Sequence, residues 1–73
     1  MATEVYAHIT GTVWKIEVQA GAKVNEGDTL VILESMKMEM PVEATCGGTV
    51  IEIRVKETQA IAEGAVIAVI QEE

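Results

Sequence analysis

"GTVWKIEVQAGAKVNEGDTLVIL" (residues 11–33) and "GTVIEIRVKETQAIAEGAVIAVI" (residues 48–70) are two versions of one segment. A shift of 37 positions lays the first on the second, with Gly11, Thr12, Val13, Ile16, Val18, Glu26 and Gly27 falling on identical residues. The register continues upstream, where Val5 and Ala7 meet Val42 and Ala44. Apolar substitutions extend it further, setting Val24, Leu30, Ile32 and Leu33 against Ile61, Ile67, Val69 and Ile70. A repeat of this length can mark a solenoid, but two copies are too few to bury a stacked core. The halves are therefore expected to close face to face about a pseudo-twofold axis.

Each half carries the two-residue period of β-strands. Trp14, Ile16 and Val18 alternate with Lys15 and Glu17, while Ile51, Ile53 and Val55 alternate with Glu52 and Arg54, so each strand is expected to have one dry face. "AGAKVNEGD" (20–28) reads as a turn, a very short strand at Val24 and a second turn. Its counterpart, "ETQAIAEGA" (57–65), has Thr58 where Gly21 stands. If that position needs a positive φ, Thr58 costs about 1 kcal/mol relative to glycine, and the second-half turn is expected to differ in shape. Over residues 28–40 a helix competes, with Asp28 as N-cap, Leu30, Leu33 and Met40 on one face and Pro41 as the stop. The repeat decides against it, because "AVIAVIQ" (65–71) occupies the same place and is strand-like in length and branching. An all-β chain of eight short strands follows, at about 4–7, 11–18, 23–25, 29–35, 38–43, 48–55, 60–62 and 65–71.

Composition narrows the possibilities. A chain of 73 residues is one domain, 1–73, whose folding removes roughly 60% of the unfolded chain's surface from water. With no Phe, one Trp and one Tyr, the core must come from Val, Ile, Leu, Ala and Met. Lone Cys46 excludes an intramolecular disulfide and fits a reducing compartment, so cytoplasm is the expected location. Twelve acidic against five basic residues give a net charge of -7, which argues against nucleic acid or an anionic membrane as partner. The longest apolar run, "AVIAVI" (65–70), is far shorter than the roughly 20 residues of a membrane span. That run is apolar on both faces, so it is either fully internal or meets a second copy; a monomer is expected. Met1 and the closed repeat read as a whole, independent chain.

"LESMKMEM" (33–40) departs from the strand pattern. If 29–35 and 38–43 are adjacent antiparallel strands, the shortest connection is a two-residue loop of Met36 and Lys37. It pairs Ser35 with Met38, Glu34 with Glu39 and Leu33 with Met40. Such loops favour positive φ angles that call for Asn-Gly or a glycine, so Met-Lys is poor turn chemistry. Glu34 opposite Glu39 is a like-charge pair that destabilises by a few tenths of a kcal/mol or more. Several rules broken at one exposed point suggest function. The offset maps Lys37 to the gap between the chain ends, which puts the tip at one end of the molecule and both termini at the other. A nucleophilic lysine must first lose its proton, and catalytic lysines are made reactive by burial or by a neighbouring cation. Lys37 has neither in its sequence surroundings and reads as a lysine to be modified; the plain alternative is a solvated tip residue.

"ESMKMEM" resembles the attachment motif of biotinyl domains, and "GTVWKIEV", "AGAKVNEGD", "LVILESMKMEMPVEA" and the second "GTV" are placed as in that family. The resemblance is to short, stand-alone biotin/lipoyl attachment proteins and thumbless biotin carboxyl carrier domains, since no insertion interrupts 18–28. It implies a flattened β-barrel or sandwich of two four-stranded antiparallel sheets with pseudo-twofold symmetry. It also implies a carrier that is no enzyme. Lys37 would be biotinylated by a biotin protein ligase using ATP, and would carry carboxybiotin between a biotin carboxylase and a carboxyltransferase. Met36 and Met38 would be read by these partners, with Glu34, Ser35 and Glu39 as hairpin context. Departures from the family pattern are Thr58, in place of a common glycine, and Cys46-Gly47, in place of a small polar residue.

Two other readings stay open. A lipoyl carrier also modifies a hairpin lysine but usually flanks it with Asp and Ala, against which Met36 and Met38 count. A small β binding module would leave Lys37 unmodified. Cys46 lacks a paired His and reads as a small residue entering a turn. His8 reads as a surface residue without metal-ligand spacing, and Trp14 as a partly buried strand residue. No metal site is suggested.

Overall fold

Residues 1–73 are described by a computed structural model. Its strands are β1 (Ala2–Tyr6), β2 (Gly11–Ile16), β3 (Lys23–Val24), β4 (Thr29–Ser35), β5 (Met38–Glu43), β6 (Gly48–Ile53), β7 (Ala60–Ile61) and β8 (Val66–Glu72), with no helix. They form two four-stranded sheets, ordered β1-β8-β6-β3 and β5-β4-β2-β7, antiparallel throughout. The 37-residue shift carries β2, β3 and β4 onto β6, β7 and β8 residue for residue, and so converts one sheet order into the other. The all-β sandwich of two four-stranded sheets is thus as expected. β4 and β5 have the expected bounds, while β2 and β6 stop two residues short of 18 and 55.

The symmetry reaches individual bonds and side chains. Gly21 N donates to Val50 O as Thr58 N does to Val13 O, and Gly27 N donates to Ala44 O as Gly64 N does to Ala7 O. Between the sheets lies a cluster of 15 buried residues, all aliphatic. Val5 with Val42, Ala7 with Ala44, Val13 with Val50, Val24 with Ile61, Leu30 with Ile67, Val31 with Ala68 and Leu33 with Ile70 are equivalent pairs within it. Val55 completes the cluster, and Cys46 packs against its edge where Ile9 stands in the other half. Cys46 also lies in a bend just before β6, which fits the reading of it as a small residue entering a turn.

Two expectations are corrected. The dry face of β2 does not run Trp14, Ile16, Val18: Val13 is buried, and Trp14 is 48% exposed. Trp14 is the extra residue of a β-bulge, since Val13 pairs with Leu33 and Lys15 with the next residue, Ile32. Ile51, 49% exposed, is the equivalent extra residue between Val50 and Glu52 on β6. A bulge shifts the alternation by one, so a strict two-residue count misplaces both residues. The second correction concerns Thr58, which adopts φ 73° beside 97° at Gly21. The second-half turn therefore keeps the shape of the first, because its two backbone hydrogen bonds outweigh the strain on a β-branched residue.

β8 is internal, between β1 and β6, and dry on both faces. Val69 lies outside the core cluster yet is only 6% exposed. Its cross-strand neighbours are Glu4 and Glu52, which Arg54 bridges at 3.4 and 2.8 Å, and Tyr6 donates its hydroxyl to Glu4 at 2.8 Å. A charged canopy built by the chain itself thus covers Val69.

Two outcomes follow. Thr58→Gly relieves about 1–2 kcal/mol of left-handed strain, partly offset by glycine's freedom in the unfolded chain; the net gain of about 0.5–1 kcal/mol should raise the melting temperature by several degrees. The hydrogen bond to Glu4, then the Glu4 charge, push the Tyr6 phenol above its ordinary 10.0. A raised folded-state pKa contributes stability that is present below the unfolded value and lost as pH rises through the folded one. Denaturation midpoints measured from pH 8 to 12 should therefore fall more steeply above the ordinary tyrosine range for the parent chain than for Tyr6→Phe.

Candidate functional site: the tip of the β4–β5 hairpin

The site begins with the apolar residues that pin the hairpin. Val31, Leu33 and Val42 are buried and Met40 half-buried, so β4 and β5 pair Leu33 with Met40, Glu34 with Glu39 and Ser35 with Met38. That is the register expected from the sequence. It leaves Met36 and Lys37 as a two-residue loop with φ 52° and 66°. Both angles are left-handed, as a type I′ turn demands, although neither residue is glycine or asparagine. Pro41, which cannot donate a ladder hydrogen bond, is tolerated because β5 is an edge strand.

Around the tip the side chains stand free. Met36 is 93% and Met38 62% exposed, Lys37, Glu34 and Glu39 are exposed, and Ser35 is half-buried. The four ion pairs use Lys15, Lys23 and Arg54, so Lys37 carries its amine without a carboxylate partner despite two nearby glutamates. Glu34 and Glu39 do face each other across the strands, as expected. The structure thus brings all six sequence-predicted residues together, with Met36, Lys37 and Met38 outermost. His8 is exposed, as a surface residue.

The termini lie away from this tip. Val24 pairs with Gly48, which pairs with Glu72, whose N–H donates to Met1 O. The turn after Val24 leads into β4, whose seven residues then run about 20 Å from Thr29 to Ser35 at roughly 3.3 Å per step, along a molecule measuring 35 × 17 × 17 Å.

One supporting residue escaped the sequence reading. Gly11 packs so closely on the hairpin that an added Cβ would lie 2.6 Å from Glu34 O. Only glycine lets β2 begin there without pushing β4 outward. Gly48 makes the equivalent approach to Gln71, and the identity of Gly11 and Gly48 in the repeat was the available signal.

An aliphatic sandwich that holds Lys37, exposed and without an ion-pair partner, out on a left-handed turn has the form of a carrier domain. The family model described as "Biotin-requiring enzyme" matches residues 1–70, and the chain belongs to this biotin/lipoyl family as a carrier rather than a catalyst. It is 41% identical over 63 residues to the "Biotin/lipoyl attachment protein" of Bacillus subtilis (strain 168), covering 86% of each chain. It is 44% identical over 70 residues to the "Biotinylated protein TB7.3 homolog" of Mycobacterium leprae (strain TN), covering 96% of this chain and 99% of that one. Among solved structures, the Kluyveromyces lactis urea carboxylase matches 97% of this chain with a TM-score of 0.92 and 38% identity. This chain spans 6% of that much longer protein.

Met36→Asn supplies the residue a type I′ turn prefers and should stabilise the chain by about 0.5–1 kcal/mol, seen as a higher denaturant midpoint with unchanged slope. The amide resonances of Gly11 and Leu33 should stay in place, marking an unmoved hairpin.

Proposed function

We propose that this chain is a biotin carrier in which the Lys37 amine holds biotin in amide linkage. The observation that carries the reading is the hairpin tip itself: Lys37 has φ 66°, no ion-pair partner and an exposed methionine on each side. That arrangement fits the group, since an acyl donor can approach the amine without displacing a salt bridge or entering the core.

In this reading a biotin protein ligase would first join the biotin carboxyl group to the AMP portion of ATP, with pyrophosphate as the leaving group. Lys37 Nζ, deprotonated in the ligase site, attacks the acyl carbon; the amide C–N bond forms and AMP leaves. Bound biotin supplies a ureido nitrogen that accepts and releases a carboxyl group. The chain's own part is positional. The left-handed turn fixes the direction of the lysine arm, and Met36 and Met38 give partner enzymes an apolar surface to read. Glu34, Ser35 and Glu39 shape the approach. Tethering holds the group at an effective concentration on the order of millimolar in a partner's site, so weak docking with fast release suffices. The net charge of -7 suits brief encounters with basic surfaces.

The partners proposed are that ligase, a biotin carboxylase and a carboxyltransferase. We take the chain to act as a monomeric domain of residues 1–73 in the cytoplasm, a reading supported by its single core cluster and unpaired Cys46. Lipoate on the same lysine is the second reading, favoured by the dual name of the Bacillus subtilis relative and disfavoured by the methionine flanks.

Co-expression with a biotin protein ligase and, separately, a lipoate ligase tests both readings by intact mass and peptide mapping. One biotinyl group on Lys37 is expected. Lys37→Arg should abolish labelling with an unchanged melting curve, because the charge remains but guanidinium is a poor acyl acceptor. A folded parent chain that stays unmodified by both ligases would instead favour an unmodified binding module.

A further inference from the structure

The apolar surface on each side of Lys37 is built from the one aliphatic side-chain type that a mild oxidant can convert to a polar one. Four methionines are present: Met36 is 93% exposed, Met38 62% and Met1 89%, while Met40 is half-buried opposite Leu33. Leucine would offer similar contact area at the tip without that chemistry. Sulfur oxidation follows access, so the two tip thioethers stand ahead of Met40, and Cys46 is half-buried against the core.

We infer that Met36 and Met38 form a reversible oxidation site that gates acylation of Lys37 and docking of the tip. The inference rests on the reading of Lys37 as the attachment residue. The oxidant is a hydroperoxide. A thioether lone pair attacks its terminal oxygen, the S–O bond forms as the O–O bond breaks, and the departing oxygen leaves as water or alcohol after taking up a proton. Sulfur loses two electrons and the peroxide gains them. A dithiol-dependent methionine sulfoxide reductase reverses the step: the sulfoxide oxygen leaves as water and the two thiols become a disulfide.

The fold is insulated from this change. Neither Met36 nor Met38 belongs to the core cluster, and the register that places them is set by Val31, Leu33 and Val42. A partner closing over the tip, in contrast, must desolvate one new S–O dipole on each side of the amine, a cost that leaves binding weaker wherever no donor meets it. Met1 lies with the chain ends, beside Glu72, and serves as an internal control.

Hydrogen peroxide titration of the unmodified full chain tests the inference, with peptide mapping and the initial rate of biotinylation by a biotin protein ligase as readouts. Oxygen should appear on Met36 and Met38 before Met40, and the rate should fall about tenfold or more, which corresponds to one or two unpaired polar groups desolvated. Methionine sulfoxide reductases should restore the rate, the melting curve should not move, and chains oxidised at Met1 alone should label normally. Met36→Leu/Met38→Leu should lose peroxide sensitivity; if that variant is not labelled at all, the reductase reversal decides. A chain oxidised at both tip residues yet labelled at the parent rate would overturn the gate while leaving the carrier reading intact, as would oxidation of Met40 ahead of the tip. A parent chain that accepts no biotin before oxidation would overturn the carrier reading and the gate with it.

Discussion

Two equivalent aliphatic faces, packed against each other across a pseudo-twofold axis, set the register on which the lysine tip depends. Leu33, Val31 and Val42 are fully buried, and each such side chain stabilises by about 1.5–3 kcal/mol. A slip of one residue between β4 and β5 would turn this set toward water, so the pairing is held firmly. The turn prefers other residues: two non-glycine residues in the left-handed region cost on the order of 1–2 kcal/mol each. Burial wins that competition. Met36 and Lys37 are at the tip because the core puts them there, against local preference, and the strain of this turn falls where Lys37 stands clear of its neighbours.

The symmetry is kept inside and broken outside. Seven equivalent pairs line the core, whereas on the outer faces Glu4, Tyr6, Glu52 and Arg54 are replaced in the other half by Pro41, Glu43, Lys15 and Glu17. The face over β8 is closed by its own Arg54 canopy, in which the guanidinium donates to Glu52 at 2.8 Å, the contact that does most to raise its pKa above the ordinary value. On the hairpin sheet the equivalent positions hold only the Lys15–Glu17 pair at 3.5 Å, with Pro41 where Glu4 stands, and Ile32, the counterpart of Val69, is half-buried. An internal duplication thus supplies a stable interior twice over, while divergence on the surface gives one hairpin to function and the equivalent place to the chain ends.

A carrier needs little else from its own residues. Its lysine is exposed and unpaired, its methionines are free, and Gly11 sits where any larger residue would push the hairpin strand away. Positional accuracy at the tip is therefore a property of the aliphatic interior and of one close backbone approach.

By itself the sequence determined the strand pattern, the pairing of the halves, the hairpin register and the place of Lys37 between two methionines. All of these follow from the 37-residue repeat and from the short range of strand periodicity and turn chemistry. Tertiary structure alone decided the bulges that turn Trp14 and Ile51 outward, the left-handed geometry accepted by Thr58 and the canopy that seals Val69. It also decided how tightly Gly11 abuts Glu34. Each of these depends on a partner strand remote in the chain. A bulge is a relation between two strands, strain is tolerated only where remote hydrogen bonds outweigh it, and an ion network across β1, β8 and β6 exists only once those strands lie side by side.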